Sequence, residues 1–136
     1  MIALTTAPID LALAYQHLNT GEAGAIDLFL GTVRNNTNNQ AITYLDYEAY
    51  SPMALREMQK IADETCRRWP VLRYVIIHRT GLLYVGDMAV LVGVATPHRQ
   101  DAFAATRYII DTIKETVPIW KREAFANGEV WVNATP

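Results

Sequence analysis

The feature that most constrains the fold is an almost unbroken apolar run from Met88 to Thr96. Gly86-Asp87 precedes the run and Pro97 follows it, and both favour a change of chain direction. The run is far too short to cross a bilayer, but its length suits a strand. Because successive strand side chains point to opposite faces, a strand with so few polar positions has to be covered on both. The sequence therefore predicts a central, fully buried strand.

Two long helices accompany this strand. Apolar residues recur at helical spacing from Ser51 to about Arg68 and from Pro97 to about Thr116, and Pro70 and Pro118 end the two segments. A shorter helix is predicted from Thr6 to about Leu18. Further strands are predicted at 25–33, 42–50, 73–78, 82–85, 119–125 and 130–132, with loops at 35–40 and around the Asn-Gly pair at 127–128. We expect one α+β domain over residues 1–136, with helices on one face of a mainly antiparallel sheet.

Composition excludes several function classes. The formal net charge is −2, whereas dedicated nucleic-acid binders usually carry a basic excess, so no nucleic-acid partner is expected. No membrane segment or signal peptide is recognisable, and a cytoplasmic location is expected. Cys66 is the single cysteine; it falls on the apolar face of its helix and is predicted to be buried and unreactive.

Cationic residues cluster at the ends of the predicted elements. They are Arg34, His98, Arg99, Lys114, Lys121 and Arg122. Functional side chains are commonly held at such ends, and arginine and lysine suit phosphate or carboxylate groups. If these ends converge, they form an anion-binding pocket, to which the helix that begins near His98 adds its N-terminal amides.

The same residues also have simpler interpretations. Most lysines and arginines are solvated, and Lys114 on a last helical turn complements the helix dipole. His98 suits a general acid or base but also a hydrogen-bonded helix start, and His78, before a tight turn, is interpreted as structural. The three histidines lack ligand spacing, so no metal is expected.

A series of short motifs resembles the large subunit of molybdopterin synthase, the MoaE family. The motifs are Gly-Thr-Val-Arg at 31–34, Tyr-Glu-Ala-Tyr at 47–50, Pro-Met-Ala at 52–54, His-Arg-Thr-Gly at 78–81, Val-Gly-Asp at 85–87, Pro-His-Arg at 97–99, Ala-Phe at 102–103, Ile-Asp-Thr-Ile-Lys at 110–114 and Val-Pro-Ile-Trp-Lys-Arg-Glu at 117–123, followed by Gly128 and Trp131. They occur in the family's order between Gly31 and Val132. Their combination is specific, although none is decisive alone.

The resemblance implies an α/β hammerhead fold and a homodimer within a heterotetramer. Each large subunit would bind a small ubiquitin-like sulfur-carrier subunit whose C-terminal Gly-Gly tail ends in a thiocarboxylate. The implied reaction transfers sulfur from this tail to cyclic pyranopterin monophosphate, which forms the dithiolene of molybdopterin. No cofactor is implied.

The resemblance also assigns roles to individual residues. Lys114 and Lys121 match catalytic positions. Substrate-binding positions match Arg34, His98 and Arg99, with contributions expected from the flanking residues Thr32, Val33, Arg122 and Glu123. The loop at 35–40 lacks a glycine that many family members have, and Arg34 beside it is a candidate for sharing across a dimer.

Two rival functions remain open at this point. The first is a non-catalytic anion-binding module on the same fold, against which the presence of both Lys114 and Lys121 argues. The second is a hydrolase that uses His98 and Glu48, which would require these two side chains to meet.

Overall fold

A computed structural model of the chain describes residues 1–126 and 128–132. Its elements in chain order are β1 (Ile2–Thr5), α1 (Leu11–Leu18), β2 (Ala25–Thr32), β3 (Asn36–Thr37), β4 (Gln40–Ala49), α2 (Ser51–Arg68), β5 (Arg73–Arg79), β6 (Gly81–Tyr84), β7 (Met88–Thr96), α3 (Arg99–Thr116), β8 (Ile119–Phe125) and β9 (Gly128–Val132). The α+β class predicted from the sequence is confirmed. Within the described ranges, no helix is long and apolar enough to span a membrane.

Strand β7 lies inside a four-stranded sheet of order β1-β5-β7-β2. It pairs antiparallel with both β5 and β2, and only β1 pairs parallel, with β5. Ala89 through Thr96 are all buried, as the apolar run predicted. The described range of β7 coincides with the predicted one.

The two faces of β7 pack against different helices. Val90, Val92 and Val94 belong to the core cluster that includes α2 and α3, and Leu91 and Ala95 belong to a second cluster with α1. The prediction that helices cover one face therefore holds for α2 and α3, whereas α1 lies on the other face. The reason is the pleat, because a strand that is apolar at every position needs a cover on both sides.

A second sheet is built around the long strand β4. Its order is β3-β4-β8-β9. Strand β3 pairs with the start of β4, and β6 pairs with its middle, from Tyr44 to Tyr47. Simple alternation along β4 would place Ile42 on the same face as Tyr44 and Glu48, but the register shifts between Ile42 and Tyr44. This irregularity turns Ile42 inwards, onto the same side as the buried Leu45 and Tyr47, because an extra residue exchanges the faces of a strand.

The predicted loop at 35–40 is a short hairpin instead. Asn36 and Thr37 pair with Ala41 and Gln40. Asn38 and Asn39 have φ of 51° and 65°, so both central residues are left-handed, as a type I′ turn requires. Asparagine tolerates this conformation, which explains how the chain forms the turn without glycine.

Three further expectations need correction. Strand β1 was not predicted, and α1 begins at Leu11, with Asp10 and not Thr6 as its N-cap. The Asp10 carboxylate accepts a hydrogen bond from the Leu13 amide at 3.1 Å. Cys66 is exposed. It lies at the edge of the α2 stripe, about 90° around the helix from the stripe's centre, while Ala54, Met58, Ile61, Ala62 and Thr65 are buried.

Candidate active site

A cavity of about 400 Å³ lies between the two sheets and the C-terminal end of α3. Its cationic lining residues are Arg34, Lys114 and Lys121, which come from the segment after β2, from α3 and from β8. The other lining residues are Phe29, Gly31, Thr32, Thr37, Ile42, Leu45, Tyr47, His78, Ala89, Val90, Ile110, Ile113 and Glu123. The sequence suggested an anion-binding pocket if the six cations at the element ends converge, and three of the six line this cavity.

Helix α3 places Lys114 at the cavity through its apolar face. Ile110 and Ile113 lie on the same side of the helix and also line the cavity. Both isoleucines are buried, whereas Lys114 one position further on is exposed. The last turn of α3 is thus held by packing, and the ammonium group stands at the cavity edge.

Strand β8 contributes alternate residues to the cavity. Lys121 and Glu123 line it, and Arg122 between them points to the opposite face of the strand. There the Arg122 guanidinium donates to the Asp46 carboxylate at 3.0 Å. Arg122 was expected to contribute to substrate binding, but the pleat turns it away from this cavity.

The segment after β2 is fixed through Val33. The Val33 amide donates to the Asp87 carbonyl at 3.0 Å, and the Val33 carbonyl accepts from the Gly86 amide at 2.9 Å. The side chain of Val33 is buried in the core, so this residue does not line the cavity as expected. Its neighbours Thr32 and Arg34 do line it. Val33 therefore acts as an anchor that sets the position of Arg34.

The floor of the cavity contains buried polar side chains. His78 and Glu123 are each 1% exposed, and Tyr47 is 8% exposed. The rings of Tyr47 and His78 meet edge to face, with centroids 5.0 Å apart. The Glu123 Oε1 lies 3.7 Å from the Lys121 Nζ, so the carboxylate holds the lysine's ammonium group.

Burial changes the acid–base properties of this floor. Burial lowers the pKa of the His78 imidazole to about 4, although the hydrogen bond between its Nδ1 and the Arg79 carbonyl favours the charged form. Burial raises the pKa of the Tyr47 hydroxyl to about 12, and the charge of Glu123 adds to this shift. His78 and Tyr47 are therefore both neutral near pH 7.

His98 and Arg99 line a different cavity. This second cavity, of about 630 Å³, is formed by Gly24, Pro97, His98, Arg99, Gln100 and Phe103 at the start of α3. Lys114 is sixteen residues beyond His98, and α3 spans almost all of that distance. At 1.5 Å per residue the two positions are about 24 Å apart. The sequence placed these cations in one pocket, but within a single chain the length of α3 separates them.

Three residues that line the first cavity were not predicted from the sequence. Tyr47 and Thr37 had no assigned role, and His78 was interpreted as structural. Neither tyrosine nor histidine has a spacing signal here, since the strands that bring them together are distant in sequence. The rival hydrolase pair is not brought into one cavity, because His98 lines the second cavity whereas Glu48 is exposed and lines neither.

A resident metal ion has no evident ligands in the described part of the chain. There, no group of three or more histidine, cysteine, aspartate or glutamate side chains is arranged to hold one.

Comparisons with known proteins agree on one family. A family model described as "MoaE protein" matches residues 4–116. The molybdopterin synthase catalytic subunit of Halalkalibacterium halodurans is 45% identical over 130 residues, which cover 96% of this chain and 83% of the relative. The subunit of the same name from Bacillus subtilis is 41% identical over 129 residues, which cover 95% and 82%.

Solved structures show the same likeness. The crystal structure of molybdopterin synthase from Staphylococcus aureus superposes with a TM-score of 0.92 at 40% identity and covers 96% of each chain. A MoaE protein from Burkholderia ambifaria gives a TM-score of 0.85 at 35% identity, covering 99% of this chain and 90% of the other. The family model and these relatives confirm the resemblance that the motif series indicated, and the chain belongs to the MoaE family.

Proposed function

We propose that this protein is the catalytic subunit of molybdopterin synthase and acts as a sulfurtransferase. The observation that carries the proposal is the first cavity, which Arg34, Lys114 and Lys121 line from three separate parts of the chain. Relatives more than 40% identical over nearly the whole chain have this name. The reaction transfers sulfur from the thiocarboxylate of a small subunit to cyclic pyranopterin monophosphate.

The charges of the cavity suit both reactants. A thiocarboxylate tail and a cyclic phosphate are anions, and the guanidinium of Arg34 can bind phosphate through two parallel hydrogen bonds. Lys114 and Lys121 place ammonium groups where negative charge develops on the substrate as sulfur attacks. Because the cavity holds both reactants side by side, a reaction of two molecules becomes a local one.

The substrate-contacting residues of the proposal follow from their positions. Thr32 and Arg34 lie beside the lysines, and Glu123 acts on the substrate through Lys121, whose ammonium it holds at 3.7 Å. Val33 and Arg122 support the site from outside the cavity. No bound cofactor takes part, because the sulfur arrives on the partner protein.

The partner would be a small ubiquitin-like subunit. A fold relative from Helicobacter pylori, 22% identical with a TM-score of 0.80, was solved as a complex of subunits 1 and 2 of molybdopterin-converting factor. For this chain we propose a corresponding complex with a small subunit and, in addition, a homodimer that carries one small subunit on each protomer, in the cytoplasm. The tail of the small subunit would enter the first cavity.

The second cavity fits this assembly if it serves the neighbouring protomer. His98 and Arg99 cannot reach a substrate at Lys114 of their own chain across about 24 Å. In a two-fold dimer, a second copy can bring its own α3 start to the first cavity. Arg34 was the original candidate for sharing, but it lines the same cavity as Lys114 of its own chain. The shared residues are therefore proposed to be His98 and Arg99.

Reconstitution tests the proposed function directly. The chain is mixed with thiocarboxylated small subunit and cyclic pyranopterin monophosphate, and the dithiolene product is assayed. We expect product from the native chain and a loss of at least about a hundredfold for Lys114→Ala, since the lysine stabilises charge in the reaction. Lys60→Ala is the matched control, because Lys60 is an exposed lysine on α2 that pairs with Glu57.

The outcome separates the proposal from its rival. Binding of the small subunit and of the pterin without any product would contradict sulfur transfer and favour the anion-binding module. Equal losses in Lys114→Ala and Lys60→Ala would contradict the role of the first cavity.

A further inference from the structure

Two buried acceptor atoms at the floor of the first cavity have no use in the mechanism described so far. They are the Nε2 of His78 and the Oε2 of Glu123, and neither has a hydrogen-bond partner among the described residues. Both side chains line the cavity, and both are 1% exposed. Buried polar atoms are nearly always satisfied, so each unpartnered atom requires an explanation.

The local bonds fix the chemistry of both atoms. The Nδ1 of His78 lies 2.8 Å from the Arg79 carbonyl, which can only accept, so Nδ1 is the protonated nitrogen. Nε2 therefore presents a lone pair, and burial keeps the imidazole neutral. The Glu123 Oε1 faces the Lys121 ammonium at 3.7 Å, which leaves Oε2 as a second acceptor.

A ligand at this floor has to donate hydrogen bonds and has to be small. Two acceptors in the wall of one cavity match the two O–H groups of a water molecule. Both atoms are buried in the wall of the cavity, so only a small group can approach the two together. An anion is disfavoured here, since both atoms offer lone pairs.

The proposed reaction requires a water molecule in this cavity. This step rests on the proposed function. When the sulfur of a thiocarboxylate bonds to the pterin side chain, it remains bonded to the acyl carbon of the small-subunit tail, and the product is a thioester. The tail can leave as a carboxylate only if water supplies an oxygen atom.

We propose that Glu123 and His78 hold the water molecule that hydrolyses this thioester. The Glu123 carboxylate takes a proton from the water as the water oxygen bonds to the acyl carbon. His78 Nε2 accepts a hydrogen bond from the second O–H of the water and so orients the attack. The Lys121 ammonium, held by Glu123, stabilises the oxyanion that forms. Both residues are thus catalytic for release of the small subunit, not for the first bond to sulfur.

The step balances in atoms and electrons. The oxygen–acyl carbon bond forms, the acyl carbon–sulfur bond breaks, and the bonding pair leaves with sulfur as a thiolate on the pterin. One water proton goes to Glu123 and then to solvent. The other leaves the new carboxylic acid, so the tail ends as a carboxylate. No oxidant or reductant is needed.

Single-turnover mass spectrometry tests the proposal. The chain is mixed with thiocarboxylated small subunit and pterin substrate, quenched at intervals, and the small subunit is weighed as thiocarboxylate, as carboxylate or as a covalent adduct with the pterin. For Glu123→Gln and His78→Phe we expect the adduct to accumulate and carboxylate release to slow at least about tenfold. His78→Gln, whose amide oxygen can accept a hydrogen bond, should restore part of the release rate.

Thr106→Val is the matched control for the loss of a buried polar group. The Thr106 hydroxyl is also buried and unpartnered among the described residues, but it lines neither cavity. This variant should release carboxylate at the native rate. Native-rate release by Glu123→Gln and His78→Phe would overturn the proposal, and so would a failure of both to consume thiocarboxylate while they still bind the small subunit.

Two further comparisons cover a variant that does not fold and a native chain that is inactive. If a variant does not fold, as shown by its thermal unfolding curve, the native chain is compared in H₂O and D₂O; slower carboxylate release in D₂O is expected, and equal rates would overturn the proposal. If the native chain forms neither adduct nor carboxylate, the proposed sulfur transfer has failed, which is distinct from a failure of the water site.

Discussion

At the scale of single residues, strand β8 divides its consecutive charges between two roles. Lys121 and Glu123 face the first cavity, and Arg122 pairs with Asp46 on the opposite face. The motif that contains all three residues predicted one joint role for them. The alternation of a strand separates them, and a sequence motif does not state which of its residues share a side.

The division on β8 predicts different results for neighbouring substitutions. Lys121→Ala should reduce dithiolene formation by more than tenfold with little change in stability, because its side chain meets the substrate. Arg122→Ala should leave turnover within about twofold and lower the free energy of unfolding by about 1 kcal/mol, the value of a partly exposed ion pair. Urea unfolding and steady-state assays of both variants measure this, and a loss of turnover in Arg122→Ala alone would contradict it.

The buried His78 predicts a dependence of stability on pH. Its pKa is about 4 in the folded chain, against 6.5 for an unperturbed histidine, so the unfolded chain binds more protons between these values. The stability from keeping His78 neutral is present above pH 6.5 and is lost as the pH falls towards 4. Between pH 7 and pH 5 this amounts to ~2 kcal/mol.

Urea unfolding at pH 7 and pH 5 measures this loss. His78→Gln should be less sensitive to acid by that amount, because glutamine does not titrate. Parallel pH curves for the native chain and the variant would show that His78 is not the responsible group.

At the scale of elements, the sequence predicted best where packing follows a simple period. The bounds of α2, β7 and β8 agree with their predicted ranges, and α3 differs only at its start. These segments repeat apolar residues over long stretches. Strand β1 has only four residues and pairs parallel with β5, far along the chain, so nothing local identified it. The β4 irregularity was equally invisible, since one extra residue leaves no mark in composition.

The β3–β4 hairpin makes a prediction about its turn. Asn39 has φ of 65°, where a β-branched residue is strained. Asn39→Val should lower the free energy of unfolding by about 1 kcal/mol, whereas Asn39→Gly should keep or slightly raise it, because Asn-Gly is the preferred type I′ pair. Thermal unfolding compares the two, and equal melting temperatures would mean that the turn is not left-handed.

At the scale of the whole molecule, α3 connects two cation-lined cavities. Its C-terminal end positions Lys114 in one, and its N-terminal end positions His98 and Arg99 in the other. The sequence identified every one of these cations but joined them into a single pocket. The length of α3 separates Lys114 from His98 and Arg99 within one chain. In the proposed dimer a second chain brings its His98 and Arg99 to Lys114, and a single sequence does not show how two chains pack.

Mixed dimers test whether Arg99 of one chain serves the first cavity of the other. Chains with Lys114→Ala are combined with chains that have Arg99→Ala, and the mixture is refolded or exchanged. If Arg99 serves the partner's cavity, one of the two sites in a mixed dimer is intact, so random mixing should restore about a quarter of native activity. Each variant alone should be inactive. An inactive mixture, with chain exchange confirmed by mass spectrometry, would contradict the proposal that Arg99 acts at the partner's cavity.

The length of α3 also has a consequence for inhibitors. A compact molecule with two anionic groups cannot reach both His98 and Lys114, which lie about 24 Å apart along α3, so it can occupy only one cavity of an isolated chain. If the dimer joins the two sets of cations, both groups bind at once, and the local concentration of the second group strengthens binding without any new contact. The affinity of such a compound would then rise with protein concentration, and the compound would hold the two protomers together while it blocks them.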